Sequence, residues 1–322
     1  MNPFAKPVVV VSACLGFRAC RYNGAVIPDA VVDRLKPWVE FQPVCPEMEI
    51  GLGVPRDPVR VVEEQGRRLL YQPATGRDVA ADMTAFADRF LGGLNEVDGF
   101  LLKSRSPSCG LKDVKIYHGT HPDSGSGRGA GLFGSAVQER FAGYPAEDEG
   151  RLKNFTLREH FLIRLFLLAE LRTILRAPAI SALIDYHTRH KLLLMAYNQT
   201  RTRALGRILA GYGKDGLERV SGEYARELRR ALDKPLPYTS LINALQHAFG
   251  GLSHSLSAQE RRFFLNTLEE YRDERVPLSV PLRLLEAWAL RQDNRYLLGQ
   301  SLLNPYPREL ADISDSGKGR DL

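Results

Sequence analysis

The four cysteines are the residues of this sequence with the most distinctive chemistry, and they set the first hypothesis. They are Cys14, Cys20, Cys45 and Cys109, all within the first third of the chain. Cys14, Cys45 and Cys109 follow closely on apolar runs that are typical of strands. Those runs are Val8–Val11, Val39–Val44 and Gly99–Lys103. Because ligands of an open parallel sheet bind outside the carboxyl ends of its strands, three thiols there predict a metal or cluster site.

The spacing of the cysteines limits which metal centre is expected. Thiolates are soft ligands that suit zinc and iron–sulfur clusters. Zinc sites usually contain close Cys-x-x-Cys pairs, and this sequence has none. Four thiolates on one cluster would make a closed electron-transfer site, whereas three would leave one iron open to act as a Lewis acid. Four buried, inert cysteines are the alternative that needs no metal.

Three polar side chains near the cysteines are candidates for the chemistry of such a site. Glu47 lies two residues after Cys45 and is a candidate general base. Ser106 and Ser108 flank Pro107 and could donate hydrogen bonds to a small ligand. The alternatives are a capping role for the glutamate and turn chemistry for the serines, since Ser-Pro favours turns.

The order of predicted elements indicates how these residues are positioned. Short apolar runs alternate with helical patterns over residues 7–150, which predicts an α/β domain with an open, mostly parallel sheet and flanking helices. Helices are expected over 28–35, 79–95 and 132–141, the first with Pro28 at its first helical position. Residues 59–62 and 68–71 are expected to form a hairpin or a further strand, and residues 114–117 a strand. The glycine-rich insert Gly119–Gly131 is expected to be mobile, as a lid over the site or as a disordered insertion. Residues 142–153 are polar and are the predicted linker between domains 1–150 and 151–322.

The second half has a purely helical pattern, which predicts an all-α domain. Thr156–Glu159 and Ser257–Glu260 both match the capping-box sequence that begins helices. Apolar periodicity predicts helices from Phe155 to Leu175 and over 179–196, 201–209, 222–232, 239–249, 257–272 and 280–296.

Positive charge is concentrated in this helical half. The first 150 residues carry 17 Lys and Arg against 19 Asp and Glu, and the remainder carries 27 against 19. Such an excess suits contact with a polyanion, although a solvated basic surface is an equal alternative. The candidate contacts are Arg189, Lys191, Arg201, Arg203 and Arg207. His187 and His190 lie in the same stretch. If they do not contact a polyanion, they are expected to be histidines on the helix surface whose hydrogen bonds are satisfied.

The composition excludes other classes of protein. Hydrophobic content of 44% and charged content of 25% are typical of globular domains. No apolar run reaches the roughly 18 residues that span a bilayer, and the valine run near the N-terminus is too short for a signal peptide. We therefore expect a cytoplasmic protein without a membrane partner, in which free cysteines bind metal or react.

Four short motifs together resemble the thiouracil desulfidases (TudS-like), and they occur in that family's order. They are Ser12–Gly16, Cys20–Gly24, Val44–Glu47 and Lys103–Gly110. The second half, through Tyr186–Lys191 and Leu192–Tyr197, is similar to the YbgA-like helical domain often fused behind such a module. The fused arrangement resembles the tRNA 4-thiouridine desulfidases (RudS-like).

This resemblance implies a cofactor and its ligands. The family carries a [4Fe-4S] cluster held by three cysteines, with one open iron that takes the sulfur of the substrate. The ligands matched by motif are Cys14, Cys45 and Cys109. Cys20 also lies in a family motif and is left outside the predicted set.

The resemblance also implies a reaction. Glu47 would deprotonate a water that attacks the thiocarbonyl carbon, and Ser106 would orient the base or stabilise charge. Sulfur would leave as sulfide with no net electron transfer. Ser12 and Ser108 are the predicted substrate contacts at the cluster, and Arg189, Lys191, Arg201 and Arg203 those to RNA. The long insert departs from the family pattern, which leaves its role as a lid open.

Four functions are compatible with the sequence. The first is conversion of 4-thiouridine in tRNA to uridine, with salt-dependent binding of tRNA and a splayed-out base. The second is desulfuration of free thiouracil or thiouridine nucleotides, for which the helical half is only a scaffold. The third is a non-catalytic cluster protein that binds RNA or senses redox state, and the fourth is a structural zinc protein.

Overall fold

The computed structural model of the chain describes residues 4–121, 124–312 and 314–315. By internal contacts the chain forms two compact units. The first contains Ala5–Ala169 and the segment that begins at Leu310, and the second contains Glu170–Glu309. This division between Ala169 and Glu170 falls within a helix, about 20 residues after the domain boundary predicted at residue 150. The predicted boundary therefore stays a prediction. None of the helices in the described ranges has the length and apolar character that a bilayer crossing requires.

The first unit is an α/β structure with two sheets, as the fold class predicts. Its strands are β1 (Val8–Ser12), β2 (Glu40–Val44), β3 (Arg60–Glu64), β4 (Arg67–Gln72), β5 (Arg77–Asp78), β6 (Gly99–Leu102), β7 (Val114–Tyr117), β8 (Ser126–Gly129) and β9 (Ala146–Asp148). The first sheet has the order β2-β1-β6-β9, and all of its pairings are parallel. Strands β1 and β6 are buried along their whole length, which explains why they are continuous apolar runs.

The second sheet has the order β5-β4-β3-β7-β8. The predicted hairpin is confirmed: β3 and β4 pair antiparallel around Gln65 and Gly66, which both have positive φ. Only β3 and β7 are parallel in this sheet. Its inner face carries Val61, Leu70 and Ile116, which belong to the main core of the unit.

The helices of the first unit cover these sheets and lead into the second unit. They are α1 (Ala30–Leu35), α2 (Pro46–Glu49), α3 (Ala80–Gly92), α4 (Leu132–Arg140) and α5 (Phe155–Arg176), the last of which continues into the second unit. The predicted helices are present, with shifted starts. Asp29 caps α1 by accepting hydrogen bonds from the amides of Val31 and Val32, so Pro28 precedes the cap and does not occupy the first helical position. At α5 the cap is Asn154, which accepts from the amide of Leu157 at 3.0 Å, so the predicted capping box at Thr156–Glu159 is wrong.

Two segments predicted to be irregular are strands. Residues 146–148 form β9 beside β6, so the predicted linker contains the edge strand of the first sheet. This strand lacks the apolar pattern of a buried strand, because it carries Glu147 and Asp148. Both carboxylates accept hydrogen bonds from Arg151, which allows them to lie in the sheet. In the glycine-rich insert, Ser126–Gly129 pair with β7 through backbone atoms alone, so this part is not irregular. Pro122 and Asp123 of the insert lie outside the described residues.

The second unit is helical in its described residues. Its helices after α5 are α6 (Ile180–Ala210), α7 (Tyr212–Asp215), α8 (Leu217–Ala231), α9 (Tyr238–Gly250), α10 (Ala258–Arg272), α11 (Ser279–Arg291) and α12 (Arg295–Leu298). The break predicted between 196 and 201 lies within α6 at Asn198, whose backbone is not helical and whose side chain accepts from the amide of Arg201. The capping box of Ser257 and Glu260 is confirmed.

The chain returns to the first unit at its C-terminal end. The buried guanidinium of Arg158 donates to the carbonyls of Asp312 and Ser314 at 2.6 Å each. Asp315 accepts from the amide of Phe155 at 2.8 Å, at the start of α5. We call residues 310–312 and 314–315 the C-terminal strap. The chain therefore enters the helical unit from the first unit and returns to the first unit at this strap.

Candidate active site

A cleft of about 1040 Å³ opens at the carboxyl edge of the parallel sheet. Strands β1, β2 and β6 all end there because their pairings are parallel. All four cysteines line it. None of them forms a disulfide. Among the residues that the structure describes, no three His, Cys, Asp or Glu side chains are close enough to hold a single ion as they stand.

Three of the thiols form one group on the β1 and β2 side of the cleft. Cys20 and Cys45 are buried in one small cluster, and Cys14 packs against it. Cys45 Sγ lies 3.7 Å from the Cys20 carbonyl, and hydrogen bonding with Cys14 raises the pKa of the Cys20 thiol. The hydrogen bond with Cys20 raises the pKa of Cys45, and burial raises it further. Cys20, left out of the predicted ligand set, therefore lies beside two of its members.

Cys109 lies on the other side of Cys45, and two serines hold it. Burial raises the pKa of its thiol to about 12, while hydrogen bonds from Ser12 and Ser106 act in the opposite direction. Ser106 Oγ also accepts from the amides of Ser108 and Cys109, at 3.3 and 3.0 Å. Ser106 thus fixes the turn that carries Cys109, and Ser12 ties this turn to β6 by accepting from the amide of Lys103.

Helix α4 holds the same turn from outside through close backbone contacts. The amides of Gly131 and Gly134 donate to the carbonyls of Gly110 and Ser108 at 2.8 and 3.0 Å. A Cβ at Gly131 would lie 2.5 Å from the Pro107 carbonyl oxygen, and a Cβ at Gly134 only 2.3 Å from that of Gly110. Only glycine permits this approach, so α4 acts as a rigid support for the Cys109 turn.

Glu47 is held by two partners at the floor of the cleft. Ser108 Oγ donates to Glu47 Oε1 at 2.9 Å. Arg56 contacts Oε2 with both Nε and Nη2, at 2.8 and 2.5 Å. The Arg56 side chain is 5% exposed and also donates to the carbonyl of Cys20. Arg56 was not predicted, because nothing distinguishes it from other charged residues of a Pro- and Gly-rich loop.

An acidic pair from the end of β9 lines the opposite wall. Glu149 accepts from Ser104 Oγ at 2.6 Å and forms an ion pair with Lys103. Burial acts to raise the pKa of Glu149, but the hydrogen bonds from Lys103 and Ser104 outweigh it and lower the pKa. Burial raises the pKa of Asp148 to about 6. Neither residue was predicted, because β9 was interpreted as a linker.

The predicted RNA contacts of the helical unit differ in their surroundings. Arg189 pairs with Glu170 at 2.5 Å, and Arg201 pairs with Glu227 at 2.8 Å. Lys191, Arg203 and Arg207, by contrast, are exposed, and within the described part of the chain no ion pair involves them.

The two histidines of this stretch are not on the helix surface as expected. His190 is buried between Ser301 Oγ at 2.7 Å and Glu170 Oε2 at 3.0 Å. His187 is half-buried and lies 3.2 Å from Tyr224 Oη. Packing of α6 against neighbouring elements of the unit covers this face, which the sequence pattern did not indicate.

Two family models match separate parts of the chain. Residues 9–149 match the family model described as 2-thiouracil desulfurase. Residues 191–307 match a family described as a protein of unknown function, DUF1722. The first match contains all four cysteines and Glu47, and the second covers most of the helical unit.

Individual relatives agree with these matches. The chain is 30% identical over 157 residues to the uncharacterized protein YbbK of Bacillus subtilis (strain 168), covering 46% of this chain and 99% of that protein. It is 29% identical over 150 residues to the uncharacterized protein YbgA of Escherichia coli (strain K12), covering 46% of this chain and 88% of that protein. Among solved structures, a [4Fe-4S]-dependent thiouracil desulfidase, TudS, is 29% identical, covers 46% of this chain and 93% of its own, and superposes with a TM-score of 0.36.

These matches confirm the resemblance found in the motifs, for the first part to the thiouracil desulfidases and for the second to the YbgA-like domain. The cysteines, Glu47 and the serines of the cleft fall within the first match. Lys191, Arg201 and Arg203 fall within the second, and Arg189 lies just before it. The chain therefore belongs to the 2-thiouracil desulfurase family, and it carries a DUF1722 domain behind its desulfurase domain.

Proposed function

We propose that this protein is a [4Fe-4S]-dependent desulfidase that converts 4-thiouridine in tRNA to uridine and releases sulfide. One observation carries the proposal. All four cysteines and Glu47 line a single cleft at the carboxyl edge of a parallel sheet, within the segment that matches the desulfurase family. Removal of sulfur from free thiouracil or a thiouridine nucleotide is the alternative for the same cleft.

The donor set fits an iron–sulfur cluster. Thiolates are the usual ligands of such clusters. The cleft offers four cysteine sulfurs, and the described residues that line it include no histidine. Cys14, Cys45 and Cys109 would hold the cluster, with Cys20 beside the first two as the alternative donor. When bound, the cluster supplies an open iron that polarises the thiocarbonyl as a Lewis acid.

The remaining chemistry falls to groups of this chain. Glu47 takes a proton from a water molecule, whose oxygen bonds to the thiocarbonyl carbon as the carbon–sulfur bond breaks. Ser108 orients Glu47 Oε1, and Arg56 holds Oε2 and balances the carboxylate charge. Both protons of the water leave with the sulfur as hydrogen sulfide, the first of them by way of Glu47, and the oxygen stays on the carbon as the carbonyl. No oxidant or reductant is needed.

The substrate class rests on charge. Lys191, Arg203 and Arg207 are exposed cations of α6, and Arg203 and Arg207 share one helix face at a spacing of four residues. Phosphates of a tRNA would bind such cations in a salt-dependent manner. A tRNA substrate and reduced thiols both agree with a cytoplasmic location.

The decisive experiment is anaerobic reconstitution, followed by iron and sulfide counts and by turnover of tRNA that contains 4-thiouridine. About four irons per chain, loss of the thiocarbonyl absorbance and release of sulfide would support the proposal. Turnover of free 4-thiouracil without turnover of the tRNA would favour the alternative substrate. Iron without any turnover would leave a cluster-containing binding protein, and zinc alone would overturn the assignment.

A further inference from the structure

The outer face of the second sheet has an arrangement that the proposed function does not use. Side chains alternate across a sheet, and the inner face is occupied by the main core. On the outer face, the register aligns one row of polar residues and, one step further, a second row that is mainly apolar and aromatic. The first row is Asp78, Tyr71, Arg60, Lys115 and Arg128, and the second is Leu69, Val62, Tyr117 and Ser126.

Exposure varies along both rows of this face. Lys115, Arg128 and Ser126 are exposed, Tyr71 and Tyr117 are half-buried, and Val62 is buried. Arg60 lies beneath them, with its guanidinium carbon 4.6 Å from the ring centre of Tyr117. Lys115 Nζ lies 4.6 Å from the same ring centre. Two acidic residues share this face. Asp78 lies at the β5 edge opposite Tyr71, where its Oδ1 accepts from the backbone amides of Leu70 and Ala80. Glu64 lies at the opposite end, across from Arg67.

This face begins at the cleft. Val59 lines the cleft and precedes β3, while Lys112 and Asp113 line it and precede β7. Arg128 bridges to the same rim by donating to the carbonyl of Asp113 at 3.5 Å. A polymer whose reactive base lies in the cleft therefore meets Lys112 at the rim and then Lys115 and Arg128.

We infer that the outer face of the second sheet binds the strand of RNA next to the reactive base, with phosphates on Lys115 and Arg128 and one base on Tyr117. We call Lys115, Tyr117 and Arg128 the strand track. Cations beside an aromatic ring on an open sheet are the combination that holds single-stranded RNA. The exposed Lys115 moves from the ring to a phosphate when a base stacks there. This inference rests on the proposed function, and it adds an RNA contact on the desulfurase domain itself.

The test measures RNA binding and small-molecule turnover separately, on the anaerobic cluster-loaded full chain. The binding probe is a short fluorescent single-stranded oligouridylate, followed by anisotropy over a salt series, and the turnover substrate is free 4-thiouracil. The double variant Lys115→Ala/Arg128→Ala is expected to bind the probe about tenfold more weakly, with its salt slope reduced by about 1.4 for two lost phosphate contacts. Its turnover of 4-thiouracil should stay unchanged.

A matched double variant controls for charge. Arg67→Ala/Arg77→Ala removes two exposed cations of the same sheet, one at the hairpin end and one next to the inner-face position Gln72. It should bind the probe within about twofold of the unaltered protein, because neither cation lies on the track. Equal losses in the two double variants would overturn the inference in favour of non-specific charge attraction.

Stacking is tested at Tyr117. Tyr117→Phe keeps the ring and should bind normally, whereas Tyr117→Ala should weaken binding about tenfold. Full binding by Tyr117→Ala and by Lys115→Ala/Arg128→Ala overturns the inference while the proposed function stands. Absence of turnover of any thiocarbonyl substrate by the unaltered protein would instead overturn the proposed function.

Discussion

Ser108, and not Ser106, is the serine that contacts Glu47: its hydroxyl donates to Glu47 Oε1 at 2.9 Å. The hydroxyl of Ser106 instead accepts hydrogen bonds from the backbone amides of Ser108 and Cys109. The two serines of one short motif therefore have separable roles. One orients the candidate base, and the other shapes the turn that presents a candidate cluster ligand.

These roles predict different defects. Ser108→Ala should lower kcat about 10- to 100-fold with normal iron content, because Glu47 loses the partner that orients it. Ser106→Ala should lower iron retention and reduce the free energy of unfolding by about 1 kcal/mol, because two amides lose their acceptor. The measurements are the iron content, the turnover of 4-thiouracil and the thermal unfolding of both variants. Normal iron retention with a low kcat in Ser106→Ala would instead assign that serine a catalytic role.

Arg56 is expected to be necessary for the stability of the cleft. Arg56→Ala leaves the nearly buried Glu47 without its ion pair, which should cost about 3 kcal/mol of unfolding free energy. Arg56→Lys should recover part of it, because lysine restores the charge without the two-atom contact. Denaturant unfolding of the cluster-free protein measures both. The control is Arg21→Ala, which removes a cleft arginine that contacts Tyr22 instead of a carboxylate; an equal loss there would contradict the assignment.

The cysteines can be ranked by single substitutions. With three ligands as predicted, Cys14→Ala, Cys45→Ala and Cys109→Ala should each lose iron and turnover, while Cys20→Ala should keep about four irons per chain. Iron and sulfide assays with electron paramagnetic resonance of the reduced protein make the comparison. Loss of the cluster in Cys20→Ala with retention in Cys14→Ala would exchange the roles of these two neighbours.

Asp148 predicts a pH dependence of stability. Burial raises the pKa of this carboxyl from 3.8 to about 6, so the folded state binds its proton more tightly than the unfolded state. Its contribution to stability is therefore complete below about pH 4 and is lost as the pH rises through about 6, by up to about 3 kcal/mol. Asp148→Asn should flatten the unfolding free energy between pH 4 and about 7. Denaturant titrations at several pH values test this, and an unchanged pH profile would contradict it.

The helical unit offers a comparison between free and paired cations. Arg203→Ala/Arg207→Ala should weaken tRNA binding and reduce the salt slope by about two. Arg189→Ala/Arg201→Ala removes the same charge but should affect binding less, since these guanidinium groups already face Glu170 and Glu227. Filter binding over a salt series distinguishes the two, and a larger effect of the second pair would reverse the assignment.

The sequence predicted the elements whose side chains follow a periodic pattern. The buried strands β1 and β6 and the helices α3 and α4 were found because burial on defined faces imposes such a pattern. Strand β9 was missed because its polar side chains are satisfied locally by Arg151, and β8 was missed because glycines pair through the backbone alone. Long-range contacts such as that between Ser108 and Glu47 cannot be predicted from spacing, since the fold and not the local sequence brings the two residues together.

The C-terminal strap affects how the protein responds to proteolysis and to truncation. Because the chain leaves the first unit through α5 and returns to it at the C-terminal strap, the helical unit is an insertion within the desulfurase unit. A single proteolytic cut between two helices of that insertion would leave both fragments anchored, one covalently and one through Arg158. A deletion that removes everything after residue 169 would also remove the strap. Arg158 would then lose its two carbonyl acceptors, and the amide of Phe155 at the start of α5 would lose Asp315 as its acceptor.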